Sequence, residues 1–209
     1  MPGKLFIIAA ASGTGKTTLV HALCNSLANL RVSISCTTRP LRPGERDGVD
    51  YFSIDNATFD RMVADKKFLE HETVFGYRYG TPRAWVEDQL RAGTDIILEI
   101  DWKGARSVRA MLPECIGIFL LPPGFKVLQQ RLCGRAQDDA ATIQRRMRAA
   151  LEELSHYGEF DYLVINDDLA AAVAEVKEII ESCRHGRRIP APDRRDFAES
   201  LMTEGGILK

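Results

Sequence analysis

An apolar segment runs directly into a loop of small residues near the start of the chain. Residues 4–8 read Lys-Leu-Phe-Ile-Ile, and residues 9–18 read Ala-Ala-Ala-Ser-Gly-Thr-Gly-Lys-Thr-Thr. A strand that ends in a loop closing on Gly15-Lys16-Thr17 is typical of a phosphate-binding loop, whose backbone N–H groups point at phosphate oxygens while a helix begins at the anion. The residues that this pattern assigns to a nucleoside triphosphate are Ser12, Gly13, Thr14, Gly15, Lys16, Thr17 and Thr18.

Two side chains of the loop have expected roles. Lys16 supplies a mobile positive charge for the terminal phosphates, and the Thr17 hydroxyl is a ligand for Mg²⁺. The pattern has one departure, because Ala10 stands where its first glycine is expected, and alanine fits there if its φ is negative. The alternative is a Gly-rich turn that only joins a strand to a helix, and the apolar strand and the Lys-Thr ending argue against it.

Strand-like and helix-like segments alternate along most of the chain. This alternation predicts an α/β fold, a parallel sheet flanked by helices, with a small mixed α/β lobe inserted. The predicted strands are 5–10, 31–36, 49–54, 68–75, 95–101, 116–121 and 162–165. The predicted helices are 16–27, 58–66, 82–90, 104–111, 125–132, 140–156 and 170–183, with a weaker helical stretch near 193–202.

Composition narrows the class of partner. The chain has 209 residues, 45% hydrophobic and 27% charged, with a net charge of −1, so no overall field attracts it to nucleic acid or to a membrane. No apolar run reaches membrane-spanning length. The five cysteines have no metal-site or redox spacing, which indicates reduced thiols in a cytoplasmic protein. We therefore expect small-molecule partners, no nucleic acid and no membrane.

Residues 35–51 contain a charged, proline-containing segment that could hold a second substrate. Pro40 and Pro43 bias Arg39 and Arg42 toward extended backbone. A repeat of three residues then places Arg39, Arg42 and Glu45 on one face. Two guanidinium groups side by side make a clamp for a dianionic phosphate. The alternative is a solvated charged loop.

Residues 68–81 place an acidic residue, Glu70, among apolar neighbours and end in Tyr79-Gly80-Thr81. A carboxylate that faces a pocket accepts two parallel hydrogen bonds. The Watson–Crick edge of guanine offers that donor pair and the edge of adenine does not. The alternative is a surface glutamate on an edge strand.

Several motifs occur together and in order. They are Ser-Cys-Thr-Thr-Arg-Pro-x-Arg-Pro-Gly-Glu, Phe-Leu-Glu-His, Tyr-x-Tyr-Gly-Thr, Glu-Ile-Asp-Trp-Lys-Gly-Ala, Arg-Leu-x-Gly-Arg and Ile-Asn-Asp-Asp. With the loop, they make residues 4 to about 183 resemble the guanylate kinase family in its bacterial form. The resemblance implies Mg²⁺-dependent transfer of the γ-phosphoryl group of ATP to GMP, and to dGMP. It also implies a core (4–34 and 82–183) with a helical lid (about 124–156), a GMP-binding lobe (35–81) and a tail (184–209) that we expect to be mobile.

The resemblance also carries site residues onto this sequence. Those implied for GMP are Ser35, Arg39, Arg42, Tyr51, Glu70, Tyr79, Thr81 and Asp101. Those implied for catalysis are Lys16 and the lid arginines Arg131, Arg135 and Arg146, with Asn166 near the adenine end of ATP. For Mg²⁺ the resemblance adds Asp101 or Glu99, acting through water, to Thr17. A homo-oligomer is compatible with the sequence.

Two other functions are alternatives to that of a guanylate kinase. A non-catalytic guanylate-kinase-like binding module, as found in scaffold proteins, typically lacks an intact phosphate loop, whereas Gly15-Lys16-Thr17 is complete here. A related phosphate-loop kinase that acts on a ribose phosphate would keep the loop but not the guanine-edge residues Ser35, Glu70 and Thr81. The sequence therefore favours the guanylate kinase reading.

Overall fold

The computed structural model describes residues 2–74, 76–133, 140–190 and 192–206. Its strands are β1 (Leu5–Ala10), β2 (Leu30–Val32), β3 (Ser35–Thr37), β4 (Tyr51–Ser53), β5 (Phe68–Val74), β6 (Tyr77–Pro82), β7 (Asp95–Glu99), β8 (Ile116–Leu121) and β9 (Tyr162–Ile165). They form two sheets. One is a five-stranded sheet in the order β2-β7-β1-β8-β9, and the other is a four-stranded sheet in the order β4-β3-β6-β5.

Helices cover both faces of the larger sheet. The described helices are α1 (Lys16–Ser26), α2 (Asn56–Ala64), α3 (Arg83–Arg91), α4 (Trp102–Met111), α5 (Phe125–Cys133), α6 (Ala140–Ser155), α7 (Leu169–Arg184) and α8 (Arg195–Glu204), and a short 3₁₀ helix spans Tyr157–Glu159. Of these, α2 packs on the smaller sheet through Phe59. Alternate β1 side chains enter different clusters because neighbouring strand residues point to opposite faces. Phe6 and Ile8 pack with residues of α1 and α7, whereas Ile7 packs with residues of α3 and α4. The predicted fold class is confirmed.

All pairs in the larger sheet are parallel. Ile7 of β1 lies opposite Leu98 of β7, and Ile8 lies opposite Ile118 of β8. The carboxyl ends of these strands therefore meet at one edge, where ligands bind in open α/β sheets. The loop after β1 and the residues that follow β7 share this edge.

The smaller sheet corrects two predictions. The single strand predicted over 31–36 is two strands, because Val32 pairs with Ile97 in the large sheet while Ser35 pairs with Tyr51 in the small one. The segment 77–82 was not predicted as a strand, yet β6 pairs antiparallel with both β5 and β3. Gly80 weakens the strand signal of this segment because glycine is rare in strands. A larger residue would not fit at this position, since the Phe68 ring lies too close.

The C-terminal segment includes a packed helix. The sequence predicted only weak helical tendency within a mobile tail, whereas α8 buries Ala198, Leu201 and Met202 in the cluster that contains residues of α5 and α6. Arg194, just before α8, donates hydrogen bonds to Glu175 and to the Leu163 carbonyl. The buried stripe was not recognised in the sequence because it consists of only three residues. Within the described ranges, no helix combines the length and apolar character needed to span a membrane.

Leu201→Ala tests the docking of α8. Leu201 is 2% exposed, so its truncation should lower the free energy of unfolding by about 2–5 kcal/mol in urea denaturation. Glu204→Ala, at an exposed position of the same helix, should change it by less than about 0.5 kcal/mol. Equal stabilities for the two variants would mean that α8 does not pack on the core in solution.

Candidate active site

The loop between β1 and α1 has the backbone shape of an anion site. Gly13 and Gly15 have φ values of 87° and 96°, which glycine adopts at little cost. Gly15 is the N-cap of α1, so the amide-rich end of that helix faces the loop. Ala10 is not among the described residues with positive φ, and alanine therefore fits where the pattern has glycine.

Two side chains support the loop by donating hydrogen bonds to the same backbone carbonyl group. Asn166 Nδ2 donates to the Thr14 carbonyl oxygen at 2.7 Å, and Arg131 Nη1 donates to the same oxygen at 3.2 Å. Asn166 is buried and follows β9, whereas Arg131 is exposed on α5. Both predicted residues therefore lie at the loop. The contact of Asn166 with adenine stays a prediction.

A cavity of about 690 Å³ adjoins the loop. Besides residues 10–18, it is lined by Asp101, Arg131, Leu132, Arg146, Ala149 and Glu153. Two arginines predicted for the lid, Arg131 on α5 and Arg146 on α6, thus face the same space as the phosphate loop. The third, Arg135, lies outside the described residues. Arg145 and Arg148 are exposed on α6.

The cationic and hydroxyl groups of the loop contact acceptors at the end of β7. Lys16 Nζ donates to the Ile100 carbonyl oxygen at 3.0 Å. Burial lowers the pKa of Lys16, and the carboxylates of Glu99, Glu153 and Asp101 oppose that shift. The Thr17 hydroxyl donates to Glu99 Oε1. Of the two carboxylates predicted near the metal, Glu99 is the one that contacts Thr17.

Asp101 joins this cavity to a second group of polar residues. Its Oδ1 accepts the Gly104 N–H at 2.8 Å and so caps the start of α4. A Cβ built at Gly104 would lie 3.4 Å from both Asp101 Oδ1 and Glu70 Cγ. The carboxyl groups of Asp101 and Glu70 are therefore neighbours, with the phosphate loop on one side of Asp101 and β5 on the other.

Glu70 and Thr81 form a polar pair across β5 and β6. The buried Thr81 hydroxyl donates to Glu70 Oε1 at 2.5 Å. Burial raises the pKa of Glu70, the bond from Thr81 opposes this, and the negative charge of Asp101 adds to it. A hydrogen bond from the Thr81 backbone also lowers the pKa of Glu70. Ser35, also half-buried, lies in the same sheet on β3.

The arginine arm is held by internal contacts. Arg39 Nη2 donates to both oxygens of Glu45 at 2.9 and 2.8 Å, and Arg39 Nε donates to the Tyr79 hydroxyl at 3.1 Å. Glu45 Oε2 also accepts the Arg42 N–H at 2.8 Å. This backbone bond, with the bonds from Arg39, lowers the pKa of Glu45. Glu45 therefore holds both the Arg39 side chain and the Arg42 backbone.

Two tyrosines complete the arm. The rings of Tyr51 and Tyr79 meet edge to face with centroids 6.1 Å apart, and the Arg39 guanidinium lies 5.5 Å from the centre of the Tyr51 ring. Burial raises the pKa of Tyr51, and Tyr79 adds to the shift. Arg42 is exposed. Thus Arg39, Tyr51 and Tyr79 are brought together, while the Arg42 backbone N–H binds Glu45.

Two features of the site were missed in the sequence. Glu153 reaches into the cavity from α6, and Trp102 stacks on His156 with ring centroids 3.4 Å apart. The spacing of Arg146 and Glu153, seven residues apart and hence on one helix face, was the signal that could have found Glu153.

Cys36 of β3 is buried, and burial raises its thiol pKa to about 11, which agrees with a packing role.

Comparisons with known proteins agree on one family. A family model described as guanylate kinase matches residues 2–183. The chain is 54% identical over 182 residues to a guanylate kinase of Alcanivorax borkumensis, covering 87% of this chain and 88% of that protein. It is 51% identical over 186 residues to one from Coxiella burnetii, covering 89% and 90%. The crystal structure of guanylate kinase from Anaplasma phagocytophilum superposes with a TM-score of 0.68 at 30% identity, covering 87% of this chain and 86% of that one.

Gly15→Ala tests the shape of the loop. A Cβ at this position would lie 2.8 Å from Asn166 Nδ2, and positive φ costs alanine about 1–2 kcal/mol. Gly186→Ala is the matched control, because Gly186 also has positive φ but has no heavy atom within 4 Å of its added Cβ. Urea denaturation should show a larger loss of unfolding free energy for Gly15→Ala, and equal losses would contradict the contact with Asn166.

Proposed function

The chain belongs to the guanylate kinase family, and on this premise we propose that it catalyses the Mg²⁺-dependent transfer of the γ-phosphoryl group of ATP to GMP, and also to dGMP, giving ADP and GDP or dGDP. One observation carries the proposal beyond family membership. The loop after β1 and the hydrogen-bonded pair of Glu70 and Thr81 lie on either side of Asp101, which lines the loop cavity and neighbours Glu70. This arrangement suits two nucleotides that meet at their phosphates.

On the donor side, the loop would bind the ATP phosphates through its amides. Ser12, Gly13, Thr14, Gly15 and Thr18 line the cavity. Lys16 would exchange its bond to the Ile100 carbonyl for one to phosphate oxygens. Arg131 and Arg146, with Arg135, would meet charge on the transferred group. Asn166 would act near the nucleoside as well as on the loop.

On the acceptor side, the lobe would bind GMP. Glu70 would accept hydrogen bonds from the guanine edge, with Ser35, Thr81 and Asp101 completing the base pocket. Arg39, Arg42, Tyr51 and Tyr79 would hold the phosphate. The role of Arg39 is supported by its hydrogen bonds to Glu45 and Tyr79, which fix its side chain before substrate binds. Binding would therefore cost little further side-chain entropy.

The chemistry requires positioning more than acid–base catalysis. The second pKa of a phosphate monoester is about 6, so the acceptor is mostly dianionic at neutral pH and needs no general base. The barrier lies in bringing two polyanions into line, and cationic side chains on both nucleotides lower it. Closure of the lid (about 124–156) and the lobe (35–81) over the core (4–34 and 82–183) would exclude water and prevent hydrolysis of ATP.

The residues present fit Mg²⁺. This ion prefers oxygen ligands and keeps several waters when it binds substrate phosphates, and the Thr17 hydroxyl lies against the Glu99 carboxylate at the loop. Thr17 would be a direct ligand, and Glu99 or Asp101 would accept hydrogen bonds from bound water. When bound, Mg²⁺ neutralises charge on the β- and γ-phosphates.

We expect the activity to lie in the cytoplasm, where thiols stay reduced. Cys24, Cys36, Cys115 and Cys183 are unpaired in the described part of the chain. A homo-oligomer remains a prediction, as does mobility of the residues of the tail (184–209) outside α8.

A coupled assay with the purified chain tests the proposal. ATP is supplied with GMP, dGMP, AMP, CMP, UMP or a ribose phosphate in turn, with and without Mg²⁺. We expect ADP formation with GMP and dGMP and only in the presence of Mg²⁺. Turnover with a ribose phosphate but not with GMP would favour a phosphate-loop kinase that acts on ribose phosphates. Absence of turnover with every acceptor would favour a non-catalytic binding module.

Glu70→Gln tests recognition of the base. It should reduce kcat/KM for GMP by the equivalent of about 1–3 kcal/mol, the cost of a mispaired buried hydrogen bond, and leave the KM for ATP unchanged. Because burial raises the pKa of Glu70, the wild type should lose GMP affinity as the pH falls, starting above the ordinary range for glutamate. The Gln variant should lack this step.

The control for this variant is Glu178→Gln, at an exposed position of α7. It should keep both the wild-type kcat/KM and the wild-type pH profile. If Glu70→Gln behaves in the same way, Glu70 does not bind guanine.

A further inference from the structure

A carboxylate of the protein occupies the phosphate loop. Glu153 Oε2 accepts a hydrogen bond from the Ser12 backbone N–H at 2.7 Å. The two residues are 141 positions apart in the chain, and both line the 690 Å³ cavity. A carboxylate shares with a phosphate a negative charge and oxygen acceptors, and loop amides bind either group.

The charge of Glu153 also acts on the loop lysine. After Glu99, it is the group whose negative charge most supports the protonated form of Lys16 and raises its pKa against the effect of burial. Two other donors of the loop have internal partners, since Lys16 contacts the Ile100 carbonyl and Thr17 contacts Glu99. Among the residues that the structure describes, the buried Thr14 hydroxyl has no hydrogen-bond partner.

The position of Glu153 on α6 links this contact to the lid. Arg146 lies seven residues earlier, two turns along the same helix face, and it lines the same cavity. The C-terminal end of α6 is anchored separately, because His156 stacks on Trp102 at 3.4 Å and its Nδ1 lies 2.7 Å from Glu159 Oε1. One face of α6 therefore presents both a carboxylate and a guanidinium group to the loop.

We propose that Glu153 is an internal counter-ion of the phosphate loop, bound to the Ser12 amide when no nucleotide is present and displaced by the phosphates of ATP or ADP. It rests on the proposed function only in that the loop binds these nucleotides. Displacement moves Glu153 away from Ser12 and couples nucleotide binding to the position of α6, which carries Arg146. Glu153 thus lowers the apparent affinity of the empty protein for nucleotide by competing for the loop.

Calorimetric titration of the full chain with ADP, without Mg²⁺, tests this competition. Glu153→Gln removes the charge and should bind ADP about tenfold more tightly, since a charge-assisted hydrogen bond no longer competes. Glu153→Asp keeps the charge but shortens the side chain, so it should also bind ADP more tightly if contact with Ser12 matters. If only the general field of Glu153 acts, the Asp variant will match the wild type, which overturns the proposal.

Glu152→Gln is the matched control, because it makes the same change of charge at the adjacent, exposed position of α6. It should bind ADP as the wild type does, and tighter binding by it would overturn the proposal. Weaker binding by either Glu153 variant would also overturn it, since Glu153 would then be a nucleotide ligand.

A second readout does not depend on affinity. In the ¹⁵N–¹H spectrum without nucleotide, the Ser12 amide should shift in Glu153→Asp but not in Glu152→Gln, and an unshifted resonance in the Asp variant would contradict the contact. Failure of the proposed function has a different signature. A wild type that binds no ADP would overturn both proposals, whereas a wild type that binds ADP but does not phosphorylate GMP would overturn only the kinase assignment.

Discussion

Several cationic side chains and N–H donors of this protein bind oxygen atoms of the chain itself. Lys16 contacts the Ile100 carbonyl, and Arg39 contacts Glu45. The Ser12 amide contacts Glu153. A cleft built to bind two polyanions would otherwise hold its cations close together at a cost in repulsion. These oxygen partners keep the cationic groups ordered while no substrate is bound.

The two sheets explain how the cleft is formed. Parallel strands place the loop after β1 beside the residues that follow β7, so Lys16, Glu99 and Asp101 meet although they are distant in sequence. The chain then leaves the large sheet between Val32 and Ser35, which puts Glu70 and Thr81 in a separate small sheet. Asp101, as the cap of α4, lies where the two parts approach each other.

Much of this was predictable because it depends on local patterns. The buried strand 5–10, the glycines of the loop and the helical period after Lys16 are properties of adjacent residues, and the ordered motifs indicated the family. The missed features depend on distant pairing. The strand β6 was not recognised because Gly80 interrupts its run of strand-forming residues, and pairing with β3 and β5 establishes it. The helix α8 overlaps the weak helical stretch predicted near 193–202, but its packing against α5 and α6 could not be read from the sequence.

The sequence alone therefore determined the fold class, the phosphate loop and the family, because each rests on residues that lie close together along the chain. Tertiary structure decided which groups satisfy one another. Sequence spacing could not predict that Asn166 supports the loop or that Glu99, rather than Asp101, contacts Thr17. It also could not predict that Glu153 accepts a hydrogen bond from the Ser12 amide. Hydrogen bonds extend only about 3 Å, and sequence position does not specify which distant side chains come within that range.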